Sequence, residues 1–140
     1  MCFSNCISLT NVSLPSSITT LQKGVFQNCK SLETIDGFFS ILNDECFNGC
    51  KSLKKICSHS NITEIGNFVF KNCLSLKELP KFEGIKEIGQ SFYKCCSLGS
   101  FIIPSSVVKI DDESFYGCKS LETITIPSVT TIGESAYCGL

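Results

Sequence analysis

Eleven cysteines and a single histidine are the residues of this 140-residue chain whose types could carry nucleophilic or metal chemistry. Cys57-Ser58-His59 contains the histidine, so any Cys/His nucleophile or metal site would have to include it. Such sites need a second histidine, a Cys-x-x-Cys pair or an orienting carboxylate, and we find no sign of these in the sequence. We therefore expect no enzyme, with no catalytic residue, no metal site and no cofactor, and a His59 that lies on a surface loop.

Most of the cysteines follow a pattern that repeats along the chain. Phe-x-x-Cys-x-Ser-Leu occurs six times without a mismatch, and successive copies are offset by 21 to 23 residues. A seventh copy begins at Tyr137 and stops at Leu140, in the cysteine position. The cysteines of the six copies, called the cysteine ladder below, are Cys6, Cys29, Cys50, Cys73, Cys95 and Cys118. Units this short cannot bury an apolar face alone, so they must stack as a solenoid.

The segment after each motif has the alternation of a β-strand. In the last full copy Ile124 and Ile126 alternate with Thr123 and Thr125, which gives one apolar and one polar face. Pro127 lacks a backbone N–H and ends the strand. Stacking then aligns these strands as a parallel sheet on one side of the coil.

A second apolar pair and a turn complete each unit. The pair is Val107 and Ile110 in one copy and Val129 and Ile132 in the last. The turn position that follows holds residue types that tolerate a positive φ, with Gln22 as the misfit. The residues at this position are Asn43, Gly66, Gly89, Asp111 and Gly133. We therefore expect left-handed backbone at these turns.

The motif itself has a period of three. Its Phe, Cys and Leu recur at i, i+3 and i+6, which predicts a tight helical turn with all three side chains inward. The serine before each leucine would satisfy a backbone group where the turn meets the strand. Parallel, in-register cysteines are poorly aimed for disulfides, so the cysteine ladder should consist of buried thiols. Among the other five cysteines, Cys57 and Cys96 are expected to be the most exposed.

The repeat resembles the leucine-rich repeat variant of BspA-like surface antigens, and the stretch 124–137 is its best match. The resemblance implies a leucine-rich-repeat solenoid of the α/β horseshoe class, mostly β. About six right-handed coils would carry a parallel sheet on one face and short helical turns on the other. We expect one domain over residues 1–140, with six repeats, a truncated seventh and no cap at either end.

Two repeats depart from the family unit. The coil from Leu32 to Leu42 is short, and it reads Ile35-Asp36-Gly37 where Ile-x-Ile-Pro is expected. In repeat four Lys81, next to Pro80, occupies the second inward position of the strand. We expect the sheet to be least regular at repeats two and four.

The composition of the chain limits the classes of partner that it can bind. All twelve basic residues are lysines, and thirteen acids leave a formal charge of −1, which disfavours nucleic acid. Apolar runs of a few residues predict no membrane span. The N-terminus does not resemble a secretory signal, so the chain is intracellular, exported unconventionally or incomplete in sequence. Neither end carries a polar capping repeat, which predicts a fragment of a longer array or self-association through the open ends.

Binding is the function that a stacked sheet without a deep cleft favours. The family resemblance implies a host or extracellular-matrix protein as partner and a role in cell-surface adhesion. The alternative is an intracellular scaffold in the cytoplasm, favoured by the free thiols and the missing signal. The outward strand positions expected to form the binding face are Asn11, Thr34, Lys55, Glu78, Ser100 and Thr123.

Overall fold

The computed structural model describes residues 2–128 and 131–139 and shows a β-solenoid of about five turns. Each complete turn has three sides. The long-strand side contains β1 (Asn11–Ser13), β3 (Thr34–Gly37), β5 (Lys55–Ser58), β8 (Ser100–Ile102) and β10 (Thr123–Thr125). The short-strand side contains β2 (Thr20–Leu21), β4 (Ile41–Leu42), β6 (Glu64–Ile65), β7 (Glu87–Ile88), β9 (Lys109–Ile110) and β11 (Thr131–Ile132). The turn side is formed by the Phe-x-x-Cys-x-Ser-Leu segments.

All strand pairs are parallel and join equivalent repeat positions. On the long-strand side the orders are β1-β3-β5 and β8-β10, and on the short-strand side they are β2-β4-β6 and β7-β9-β11. The sequence predicted a sheet on one face only. The short-strand side forms as well because the second apolar pair points inward, as at Leu42 and Ile110, and holds the adjoining backbone within pairing distance.

The turn side is a chain of single turns, and the helical turns predicted there are not found as such. Within the described residues the only helix is the 3₁₀ segment Gln90–Phe92, so no described helix could cross a membrane. The backbone hydrogen bonds of each motif nevertheless join residues three positions apart, as the sequence predicted. Cys50 N–H donates to Phe47 O at 3.0 Å, and Leu53 N–H donates to Cys50 O at 3.2 Å. Gly49, with φ of 79°, prevents these turns from joining into a helix.

The prediction of positive φ after the second apolar pair was wrong by two residues. Left-handed backbone occurs two positions downstream of Asn43 and Gly66, at Glu45 (φ 59°) and Phe68 (φ 57°). Glycine is needed at position 66 for space instead, since a Cβ there would lie 2.6 Å from the backbone nitrogen of Asp44. Gln22 therefore needs no special conformation and is not a misfit.

The core is a set of parallel ladders, and the inward orientation of the motif residues is confirmed. Phe26, Cys29 and Leu32 are buried, as are their equivalents in the inner coils. The phenylalanine rings stack from coil to coil, with centroids 5.7 Å apart between Phe26 and Phe47. In the first coil Phe3 remains 41% exposed because it has a ring neighbour on one side only.

The expected irregularity appears at repeat four but not at repeat two. In repeat two β3 pairs with strands on both sides, since Gly37 fits beside Leu14 and Phe39 supplies the inward side chain. In repeat four the segment before β7 forms only isolated bridges, Lys55 with Glu78 and Ile62 with Phe82. Lys81 is exposed and Phe82 takes the inward place, because burying an unpaired ammonium group is costly.

Candidate protein-binding face

The predicted outward row lies on the long-strand side, in two blocks. Asn11, Thr34 and Lys55 occupy equivalent positions on β1, β3 and β5, and Glu78 bridges to Lys55. In the second block Ser100 of β8 is in register with Thr123 of β10. Among the described strand pairs none joins Glu78 to Ser100, so the row is interrupted at repeat four.

Side chains of the row are tied to each other across the strands. Thr34 Oγ1 donates to Asn11 Oδ1 at 2.5 Å, and Lys55 Nζ lies 2.9 Å from Glu78 Oε2. The hydrogen bond and the negative charge of Glu78 raise the pKa of Lys55, which therefore stays protonated. Because the two charges neutralise each other, the row presents mainly polar groups without a net charge.

An apolar groove lies between the two blocks of the outward row. Its lining includes Leu79, Pro80, Ile102 and Pro104 together with Lys77, and it has a volume of about 590 Å³. Ile102 is 77% exposed, although isoleucine is usually buried. This groove was not identified in the sequence analysis. Its signal was the Pro80-Lys81 departure, which prevents a regular strand.

His59 has a carboxylate partner that the sequence did not reveal. Its Nε2 lies 2.9 Å from Asp36 Oδ1, and its ring packs 4.9 Å from Phe38. Asp36 and His59 are 23 residues apart in sequence, and the parallel pairing of β3 with β5 brings them together. Both side chains are about half exposed. The described residues contain no group of His, Cys, Asp and Glu side chains that could hold a metal ion.

The cysteine ladder is built into the core, and its burial is confirmed from Cys29 to Cys118, whereas Cys6 in the first coil is only half-buried. Each ladder thiol after the first points at the phenylalanine carbonyl of the preceding coil, as Cys50 Sγ to Phe26 O at 3.0 Å and Cys95 Sγ to Phe70 O at 3.2 Å. Burial raises the pKa of Cys50 to about 12, so its thiol stays protonated and can donate. The ladder therefore links coils through weak S–H···O bonds in addition to apolar packing.

The remaining cysteines are free as well, and their exposure differs from the prediction. All eleven thiols lie in the described ranges and none is in a disulfide. Cys2 and Cys138 are exposed, whereas Cys57 and Cys96 are half-buried. The turn-side packing covers Cys96, whose thiol lies 3.6 Å from Gly117 O. The expectation that Cys57 and Cys96 are the most exposed was therefore wrong.

Comparison with known families fits this geometry. The model of the BspA-type leucine-rich repeat region matches in six copies over residues 1–91 and 86–140. The chain belongs to the BspA-type leucine-rich repeat family. The resemblance seen in the sequence is thereby confirmed. Among curated proteins none matches this BspA-type chain.

Solved structures of bacterial leucine-rich repeat proteins share the fold. A leucine-rich repeat protein of T. pallidum is 32% identical, with a TM-score of 0.85 over 98% of this chain and 66% of that chain. One from Eubacterium ventriosum is 24% identical, with a TM-score of 0.76 over 93% of this chain and 42% of that one. One from Bacteroides ovatus is 24% identical, with a TM-score of 0.68 over 94% and 41%. The BspA-type chain thus spans less than two thirds of each of these proteins.

Proposed function

We propose that this chain is a protein-binding repeat module and that its long-strand side is the binding face. The observation that carries the proposal is the row of outward polar side chains beside the exposed Ile102 and the groove. Protein interfaces combine an apolar centre with a polar rim, and this side offers both. Parallel pairing holds the strands rigidly, so the partner would meet a preformed surface.

The charges on this side are paired with each other and so contribute little to the choice of partner. Lys55 is paired with Glu78, and Lys54 lies 2.8 Å from Glu33. Such exposed ion pairs add little affinity by themselves. Recognition would therefore depend on hydrogen bonds to the row and on an apolar side chain that packs against Ile102.

For the biological role we propose recognition of a host or extracellular-matrix protein at the cell surface. The support is the resemblance to BspA-like surface antigens together with family membership. Adhesion suits a repeat array, because many weak contacts on successive coils sum to a stable attachment.

The alternative is an intracellular scaffold, which the eleven free thiols favour. Thiols persist in reducing compartments and are oxidised outside them. Labelling intact and permeabilised cells with an antibody separates the two roles. Staining of intact cells supports adhesion, and staining only after permeabilisation supports the scaffold.

The binding face is tested by exchanging its charges while keeping its fold. In the double variant K55E/E78K the ion pair and the net charge are retained, so the melting temperature should stay within a few degrees. I102S removes the exposed apolar group, and V108S on the short-strand side is its control because Val108 is 51% exposed. Binding is measured against a panel of purified extracellular-matrix proteins. Weaker binding by K55E/E78K and by I102S, with V108S unchanged, supports the proposal. Undiminished binding by both K55E/E78K and I102S would show that the long-strand side is not the binding face.

A further inference from the structure

The turn side carries positive charge only. The six copies of Phe-x-x-Cys-x-Ser-Leu contain five of the twelve lysines and none of the thirteen acidic residues. Copies two to six contribute one lysine each, so five consecutive coils each carry one positive charge on this side. We call these residues the lysine row; they are Lys30, Lys51, Lys71, Lys94 and Lys119.

Backbone hydrogen bonds between coils hold together the segments that carry the lysine row. Gly49 N–H donates to Lys71 O at 2.8 Å, and Lys94 N–H donates to Tyr116 O at 2.8 Å. The same bond recurs between the other coils of this side, as from Asn28 N–H to Asn48 O. Coils joined in this way are spaced by about 5 Å, so the row extends over roughly 20 Å along the solenoid axis.

The charges of the row are not neutralised within the molecule. The lysines that form ion pairs with carboxylates all lie outside the motif; they are Lys23, Lys54, Lys55 and Lys109. Across residues 2–128 and 131–139, no ammonium group of the row lies within ion-pair distance of a carboxylate. Lys71 is half-buried and the other four are exposed. These ammonium groups are therefore available to an anion from outside the molecule.

Aromatic rings hold two of these ammonium groups at the centre of the row. Lys71 Nζ lies 4.8 Å from the ring centre of Phe68 and 5.1 Å from that of Tyr93, and Lys94 Nζ lies 5.3 Å from Tyr93. Tyr93 in turn stacks on Tyr116 at 5.2 Å. A cation over a ring face keeps its outward N–H groups available to a ligand. The rings therefore orient the charges without neutralising them.

A small depression lies beside this aromatic pair. It has a volume of about 290 Å³ and is lined by Lys94, Tyr116 and Lys119 together with Cys96 and two glycines. Two lysines and a tyrosine thus line one recess. This combination can bind a carboxylate by ionic hydrogen bonds and by the donor O–H of the tyrosine.

We propose that the turn side is a second protein-binding surface and that it takes an extended acidic polypeptide segment along the lysine row. A row of roughly 20 Å accommodates about six residues of extended chain. Nucleic acid is a poorer match, because the chain lacks the arginine fork that binds phosphate bidentately. A membrane surface is a poorer match as well, since Leu74 is the one large apolar side chain exposed in motif copies two to six.

The test compares two triple variants of the full chain with equal net charge. K51Q/K94Q/K119Q removes part of the lysine row, and K23Q/K86Q/K109Q removes three exposed lysines outside it. The probe is a fluorescein-labelled eight-residue peptide of alternating Glu and Ser, with a Gln/Ser peptide as its uncharged counterpart, followed by fluorescence anisotropy at 50 and 200 mM NaCl. The single variant K119Q gives an independent measurement that perturbs the surface least.

We expect the row variant to bind the Glu/Ser peptide at least about tenfold more weakly than the parent chain at low salt, and K119Q about twofold to threefold more weakly. The control variant should change binding by less than about threefold, and high salt should weaken binding by the parent chain. Equal losses in both triple variants would mean that net charge alone attracts the peptide and would overturn the proposal. Tighter binding of a single-stranded oligonucleotide or of phosphatidylserine vesicles than of the peptide would overturn it too.

Discussion

Replacing Phe70 by alanine tests the stacked core most directly. Phe70 is fully buried, and its ring lies between Phe47 at 5.9 Å and Phe92 at 5.5 Å. Removing a core phenylalanine costs about 3 to 5 kcal/mol, and stacked partners on both sides place this site in the upper part of that range. The free energy of unfolding is measured by urea titration with far-ultraviolet circular dichroism.

The matched control is Phe3→Ala at the same repeat position in the first coil. Phe3 is 41% exposed and has one ring neighbour, Phe26, at 5.4 Å. A fully buried phenylalanine gains about 1.5 to 3 kcal/mol from burial, so the loss at Phe3 should be about 1 to 2 kcal/mol. Equal losses at the two sites would contradict a core in which each coil is stabilised by the coils above and below it.

Three further predictions concern thiols, pH and backbone space, and a fourth concerns the ends. A thiol reagent under non-reducing conditions should label Cys2 and Cys138 in the native protein and the inner cysteine ladder only after unfolding; full labelling of the native state would refute the burial. Burial raises the pKa of the inner ladder thiols above the usual value of 9.0, to about 12 for Cys50 and Cys118, so the unfolded chain loses protons first. The urea midpoint should therefore fall as the pH rises above about 9, and a constant midpoint to pH 11 would contradict this. Gly66→Ala should cost about 1 to 3 kcal/mol, because its Cβ would meet Asp44, whereas Gly99→Ala, with open space around it, should be nearly neutral. Light scattering of an isolated polypeptide of residues 1–140 should show association that appended capping coils suppress, and a monomer at all concentrations would contradict association through its terminal coils.

How far the fold follows from the sequence can be judged at particular residues. The motif spacing alone predicted the inward Phe26, Cys29 and Leu32 and the register of Asn11 with Thr34, because identical units must stack with equivalent positions opposed. The positive φ at Glu45 was missed, since residue type says little when a tight coil forces a non-glycine residue into left-handed backbone.

The candidate sites depend more strongly on contacts between distant segments. His59 meets Asp36 only because β3 pairs with β5, and Ile102 becomes a groove wall only because repeat four forms no strand on the long-strand side. The contact of His59 with Asp36 leaves no signal in the local sequence, whereas the groove is indicated only by the Pro80-Lys81 departure.

The sequence by itself determined the repeat length, the identity of the core ladders and the absence of acidic residues from the motif, because each is a property of position within a unit. The tertiary structure decided which side chains meet across coils. It paired the charges of the long-strand side, left the lysine row unpaired and placed Lys71 and Lys94 over the ring of Tyr93. The physical reason is that stacking converts a separation of about 22 residues in sequence into about 5 Å in space, a distance at which charges and rings interact directly.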